Sequence, residues 1–263
     1  MKYPKISVIM PSFYQADYIE ASIKSVIDQN YPNLEFIIID GGSTDGSVDI
    51  IKKYQSQISY WVSEPDQGQA NAINKGLKMA TGDWFCWQNS DDIYDEACFE
   101  NFAKLVESSG DAGLVCGNLR LIDQNGGFIR DVKYTSPVLE EMLAEGMLVA
   151  NQSSFWRRSD TELDLMDETM HYSFDYEFFL RLVQKYKCVH SPKLVGCLRV
   201  HGEAKSSTSR NAFAIENQKI RLRFPRNRHP ALFFQVRRFL KLLAYGETRY
   251  ALRGVIGRIR RKA

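Results

Sequence analysis

Acidic side chains recur in this 263-residue chain at the points where short apolar runs stop. Phe36-Ile37-Ile38-Ile39 runs into Asp40-Gly41-Gly42-Ser43-Thr44-Asp45-Gly46, and Trp84-Phe85-Cys86-Trp87 leads, through Gln88, to Asn89-Ser90-Asp91-Asp92. A carboxylate at a strand terminus can accept hydrogen bonds from a ribose or a base edge, and glycines beside it let the backbone approach a ligand closely. The same residues could simply cap the turn and the next helix. Asp91 and Asp92 are adjacent carboxylates, which repel unless a cation lies between them and a phosphate. Mn2+ or Mg2+ takes such ligands, typically one or two carboxylates plus phosphate oxygens, and offsets charge developing on a departing diphosphate. The competing reading is an Asp pair capping a helix that starts near Asp95.

Phe174-Asp175-Tyr176-Glu177-Phe178-Phe179-Leu180-Arg181 adds two more acids. Residues two apart on a helix point to different faces, so Asp175 and Glu177 diverge while Phe174, Phe178 and Arg181 share a stripe. A carboxylate within hydrogen-bond reach of a hydroxyl can serve as general base. Spacing alone favours a plainer reading, acids drawn to a helix N-terminus by the macrodipole. His201 sits in a polar stretch where a lone histidine is usually just exposed. The glycines at 41–46 form neither GxGxxG nor a P-loop.

Elements must bring these residues together. Apolar runs at 6–10, 36–39, 60–62 and 84–87 read as buried strands, and helical patterns cover 17–29, 48–54 and 69–79. Ile19, Ile23, Val26 and Ile27 recur at helical spacing. That alternation implies βαβ crossovers and a parallel sheet covered on both faces, and ligands of such sheets bind at the carboxyl edge. Beyond residue 111 the alternation loosens. Strands are expected at 113–116, 120–122 and 128–129, with Asn125-Gly126 as a hairpin signal. A helix is expected over 172–185, a strand pair around 188–200 and a polar loop over 201–210.

Residues 5–92 resemble family 2 glycosyltransferases, which are inverting enzymes of the GT-A fold. The likeness is carried by ISVIMPSFYQADYIEASIKSVIDQNYPNLEFIIIDGGSTDGS and by SEPDQGQANAINKGLKMATGDWFCWQNSDD, the latter ending in a version of the DxD motif. It extends over roughly 5–207 and is nearest to bacterial enzymes of surface-polysaccharide biosynthesis. The resemblance implies an α/β fold with a mixed, mostly parallel sheet flanked by helices. It implies that Pro11, Ser12, Tyr14, Asp40 and Asp66 cradle the base and ribose of a nucleotide-sugar donor. Asp91 would bind donor, and Asp92 would be the direct ligand of Mn2+ or Mg2+. Asp175 would be the general base, and Gln152 and Ser153 would contact the acceptor, a glycan or lipid-linked molecule. The segment from Arg199 through Ser206 would close over the diphosphate, with His201 joining the metal or a phosphate and Arg199 and Lys205 neutralising charge. Tyr14 stands where the family often has Asn, Asn71 where many members have Asp, and Phe174 where an acid usually precedes the base.

Net charge is +2, yet residues 219–263 carry fourteen Lys or Arg against one acid, Glu247, so residues 1–218 carry −11. Residues 1–218 are read as the transferase domain and 219–263 as a basic amphipathic helical tail, in which Phe233, Phe234, Val236, Phe239, Leu240, Leu242 and Leu243 interleave with Arg237, Arg238 and Lys241. That pattern suits an anionic membrane surface; packing on the acidic body is the alternative. No nucleic-acid-binding fold accompanies the charge. Five cysteines without a CxxC spacing suggest reduced thiols. With no apolar run of spanning length, the expectation is a cytoplasmic protein, peripheral on the inner face of the cell membrane. Two other functions fit an acidic α/β sheet. A nucleotidyltransferase should carry a glycine-rich basic loop after the first strand, which PSFYQADY lacks, and a non-catalytic partner subunit need not retain Asp40, Asp91, Asp92 and Asp175.

Overall fold

The computed structural model describes residues 2–202, 210–224 and 229–259. Nine strands form one sheet in the order β3-β2-β1-β4-β8-β6-β9-β5, with β7 paired to β6. In chain order they are β1 (Ile6–Ser12), β2 (Leu34–Asp40), β3 (Tyr60–Ser63), β4 (Trp84–Trp87), β5 (Ile93–Tyr94), β6 (Leu114–Ile122), β7 (Phe128–Val132), β8 (Ser154–Arg157) and β9 (Cys188–Arg199). β1 to β4, β6 and β9 point one way, and β5, β7 and β8 the other. The sheet is therefore mixed and mostly parallel, as expected.

The helices are α1 (Ile19–Ile27), α2 (Ser47–Lys53), α3 (Gln69–Met79), α4 (Cys98–Ser109), α5 (Leu139–Glu145), α6 (Phe174–Lys185), α7 (Arg210–Leu222), α8 (Ala231–Ala244) and α9 (Thr248–Ile259). They divide between the sheet's two faces because alternate strand residues point to opposite sides. Ile9, Ile37, Phe85, Trp87 and Trp156 pack with α3 and α6. Val8, Met10, Phe36, Cys86 and Phe155 pack with α1 and α4. On the first face an aromatic stack fixes α6: Phe179 lies 5.4 Å from Trp87, and Phe178 lies 5.1 Å from Trp156.

Three expectations need correction. The segments at 113–116 and 120–122 are one strand, β6, and the pair around 188–200 is also one strand, β9. β9 absorbs Ser191-Pro192-Lys193 as a bulge, since Cys116 pairs with His190 but Asn118 with Val195. The boundary at 218/219 falls inside α7, whose Ile220 is fully buried in the core, so the body continues to Leu222. The Asn125-Gly126 hairpin is present, with Gly126 at φ +88° joining β6 to β7.

The basic tail packs on the body. Glu141 of α5, fully buried, pairs with Arg237 at 3.2 Å and Lys241 at 3.1 Å, and Glu145 meets Arg238 at 3.4 Å. Among the described residues no helix is long and apolar enough to cross a membrane.

Candidate active site

The carboxyl ends of β1, β2 and β4 form one rim because the three strands are parallel neighbours. Asp40, the last residue of β2, is fully buried, and its carboxylate shapes the turn. Oδ2 accepts from the backbone N–H groups of Gly42 (3.1 Å) and Ser43 (2.8 Å) and from Ser63 Oγ (2.7 Å), while Oδ1 accepts from Ser43 Oγ at 2.6 Å. These bonds are those the turn-capping alternative expects. Asp45 behaves alike. Burial works to raise its carboxyl, but hydrogen bonds from Ala16 N and Ser47 outweigh that and hold it below its ordinary value.

What this turn presents is a small platform. A Cβ on Gly41 would come within 2.8 Å of Asp66 Oδ2 and 3.0 Å of Phe13 Cδ2, so these side chains converge closely on the glycine. Asp66 accepts from Gly68 N at 2.7 Å. Phe13 and Tyr14 are exposed and meet edge to face. Tyr14 holds a left-handed backbone at φ +53°, steadied by its N–H donating to Ser43 Oγ at 2.9 Å; strain of this kind gathers at ligand-facing sites. Pro11 and Ser12 are buried beneath. Phe13 was missed at the sequence level, although an exposed aromatic directly after a strand end could have flagged it.

At the end of β4 the two aspartates part company. Asp92 is fully buried and is a hub: Oδ1 accepts from Arg199 N at 2.9 Å, and Oδ2 accepts from Gln152 Nε2 at 2.7 Å and Asn89 Nδ2 at 3.0 Å. Asn89 Oδ1 in turn accepts from Gln69 Nε2 at 2.8 Å. Burial, then the neighbouring charge of Asp91, pushes the Asp92 carboxyl well above the usual range against those three hydrogen bonds. These three bonds hold Asp92 inside the loop, with its carboxylate fully buried. Asp91 is the carboxylate that reaches the surface, and its Oδ2 lies 3.1 Å from His201 Nε2.

Gln152 and Ser153, expected on the acceptor side, are also interior. Gln152 supports Asp92, and the Ser153 side chain is buried. β9 passes directly over this turn, where a Cβ on Gly196 would collide with the Gln152 carbonyl. Arg199 is buried too: Nε donates to the Asp91 carbonyl at 2.8 Å, and Nη1 donates to the Gln124 carbonyl at 3.0 Å. It therefore ties the β4 loop to the β6–β7 turn. Tyr18, unnoticed in the sequence, lies between the two, its ring 5.3 Å from the Arg199 guanidinium and 4.7 Å from the His201 ring. Lys205 lies outside the described residues.

Asp175 occupies the first turn of α6, half-buried. Desolvation pushes its carboxyl up to about 6; the Tyr176 N–H opposes this and the charge of Glu216 adds to it. Glu216 of α7 caps α6 by accepting from the N–H groups of His171, Tyr172 and Ser173. Arg181 Nε donates to both carboxylate oxygens of Glu177, at 2.8 and 3.0 Å. Phe179, one helical turn beyond Asp175, stacks on Trp87, which stands four residues before Asp91. Asn71 and Asn74 both donate to Glu168, at 2.8 and 2.7 Å, which gives the Asn at 71 a reason: an Asp there would face a carboxylate.

The model of glycosyl transferase family 2 matches residues 7–185. A Rickettsia typhi protein named as an uncharacterized glycosyltransferase is 26% identical over 221 residues, covering 79% of this chain and 68% of its own length. TuaG of Bacillus subtilis, a putative teichuronic acid biosynthesis glycosyltransferase, is 42% identical over 92 residues, covering 34% of this chain and 36% of its own. Among solved structures, S. aureus TarS 1–349 in complex with UDP-GlcNAc matches with a TM-score of 0.67 at 16% identity, over 88% of this chain and 69% of that one. The Pyrobaculum calidifontis mannosyltransferase PcManGT, in complex with GDP-Man and Mn2+, gives 0.66 at 18% identity, over 98% and 76%. The architecture is the GT-A fold. The chain belongs to glycosyltransferase family 2.

Proposed function

We propose that this chain is an inverting glycosyltransferase that moves a sugar from a nucleotide-diphosphate sugar, foremost a UDP-sugar, to a glycan or lipid-linked acceptor by single displacement with Asp175 as general base. One observation carries this reading. Of the two acids opening α6, Glu177 is neutralised by Arg181, while Asp175 has no basic side chain on it among the described residues and its carboxyl is raised to about 6. A base near that value is ionised at neutral pH and still accepts a proton readily.

The other residues then bind and orient. Phe13, Tyr14, Gly41 and Asp66 receive the base and ribose, with Asp40 holding their turn in shape. Asp91 and His201 form a carboxylate–imidazole pair suited to Mn2+ or Mg2+, the remaining positions falling to diphosphate and water. No group of three such ligands exists among the described residues. When bound, the ion would neutralise charge on the leaving diphosphate. Asp92, through Arg199 N, Gln152 and Asn89, keeps the Asp91 loop in place. As the acceptor oxygen bonds to the anomeric carbon from the face opposite the diphosphate, Asp175 takes the hydroxyl proton. The nucleotide sugars bound by TarS and PcManGT support the donor class. A cytoplasmic, membrane-peripheral location on the cell-envelope pathway completes the reading.

Asp175→Asn tests it. Donor affinity by titration calorimetry with UDP and Mn2+ should persist while transfer stops, and wild-type product should show the inverted anomer by NMR. A mutant of normal turnover, or a retained anomer, overturns the proposal.

A further inference from the structure

The tail helices and β7 enclose a second concavity, of about 720 Å³, on the strand hairpin rather than at the β4 edge. Phe128 and Ile129 of β7, Phe239 and Leu242 of α8, and Arg130 and Arg253 line it. Its one acid, Asp131, is committed to Arg120 at 3.1 Å and Lys133 at 3.6 Å. Arg238 is likewise spoken for, by Glu145 and the Lys133 carbonyl. Among the described residues, Arg130 and Arg253 have no carboxylate partner and are exposed. The groove is thus apolar along its walls and cationic at its mouth.

α8 divides into three arcs at 100° per residue. One, with Arg237 and Lys241, faces Glu141. The second, with Gln235, Arg238, Phe239 and Leu242, lines the groove. The third is wholly apolar and open to solvent, with Leu232 68%, Val236 50% and Leu240 58% exposed beside Phe233. The inward side carries buried Phe234 and Leu242 together with the paired Arg237 and Lys241, and the helix bears a further apolar arc on its outward side. A continuous apolar surface of this kind marks an interaction site.

We infer that this groove holds the phosphate headgroup of an anionic phospholipid between Arg130 and Arg253, with the outward arc of α8 and Phe128 lying in the acyl boundary. Charge complementarity selects the occupant, because the groove's one acid, Asp131, is neutralised by Arg120 and Lys133 while Arg130 and Arg253 line it with no carboxylate partner among the described residues. An apolar arc flanked by unpaired arginines is the pattern of an interfacial helix. The inference deepens the peripheral seat proposed above and rests on it, and it moves the binding charge from Arg237, Arg238 and Lys241 to Arg130 and Arg253.

The test is sedimentation of the full chain with phosphatidylcholine vesicles, with and without phosphatidylglycerol. Wild type should require phosphatidylglycerol, the double variant Arg130→Glu/Arg253→Glu should partition at least about 30-fold less, and Val236→Glu should also lose binding. Binding without phosphatidylglycerol, or undiminished binding of the double variant, overturns the inference. So does a concentration-dependent dimer that Val236→Glu dissolves in a protein that ignores vesicles, and so does thermal protection by inorganic phosphate without vesicle binding. Calorimetry with UDP and Mn2+ on each variant keeps the two proposals apart, since failure of donor binding in wild type strikes the transferase reading and leaves the vesicle result intact.

Discussion

The loop after β4 and the first turn of α6 each present two nearby acids, and in each the pair divides its work. Asp92 and Glu177 are buried and bonded by the protein, Asp92 to Asn89, Gln152 and Arg199 N, Glu177 to Arg181. Asp91 and Asp175 are left nearer the surface. The difference lies in donor supply. The β4 loop is crossed by β9 and its neighbours, so its buried acid is met by amides and a backbone N–H. α6 meets its own Arg181 one turn on. Acids that look equivalent in sequence are sorted by which one the fold provides with donors.

Substitution can break that division, and the largest effect should come from the presented acid of α6. Asp175→Asn should reduce transfer by about 10²–10⁴-fold with folding intact. Because its folded value, about 6, lies above the ordinary carboxylate value of 3.8, this acid contributes less to stability as pH rises from 3.8 through 6. Activity of the wild type should rise through the same window. Thermal melts of Asp175→Asn and wild type should therefore coincide below about 3.8, part as pH rises from 3.8 to 6 and stay apart above it, with the variant the more stable; parallel melts at every pH would break the assignment.

Next comes the pair after β4. Asp92→Ala strands three buried donors and should cost about 3 kcal/mol in urea unfolding. Asp91→Ala should leave unfolding almost unchanged while weakening Mn2+ affinity by at least about tenfold, read by calorimetry. Reversed results would make Asp92 the ligand and Asp91 the scaffold. Glu177→Gln should cost about 1 kcal/mol, since Arg181 is partly exposed, and keep transfer near wild type. The smallest effect is expected at Asn71→Asp. Hydrogen bonds from Asn74 and Asn71 hold the Glu168 carboxyl below its ordinary value, so a second carboxylate there should cost about 1 kcal/mol at neutral pH. The cost should vanish in an Asn71→Asp/Glu168→Gln double variant.

Much of the first half was legible in the sequence. α3 and β4 have the bounds that spacing predicts, because helical periodicity and an unbroken apolar run are strong local signals. β6 and β9 were read in pieces, because Asn118 and Ser191-Pro192-Lys193 interrupt the apolar pattern. Asn118 is tolerated inside a strand since His190 and Tyr134 N supply its partners from elsewhere in the chain. The site followed the same rule. The rim at the strand ends was readable, while the burial of Asp92, Gln152, Ser153 and Arg199 was not, because it depends on where β9 crosses. Tyr18 and Glu216 gave no signal of their own, since each acts by touching residues more than 40 positions away.

The hub at Asp92 also bears on recombination between relatives. Its donors come from both halves of the chain, Asn89 before the midpoint and Gln152 and Arg199 after it. A chimaera that joins the first half of this chain to another member's second half keeps an intact loop after β4 only if the incoming segment brings an amide and a backbone N–H to the same two places. Exchange of second halves is thereby restricted to grafts that carry this latch with them.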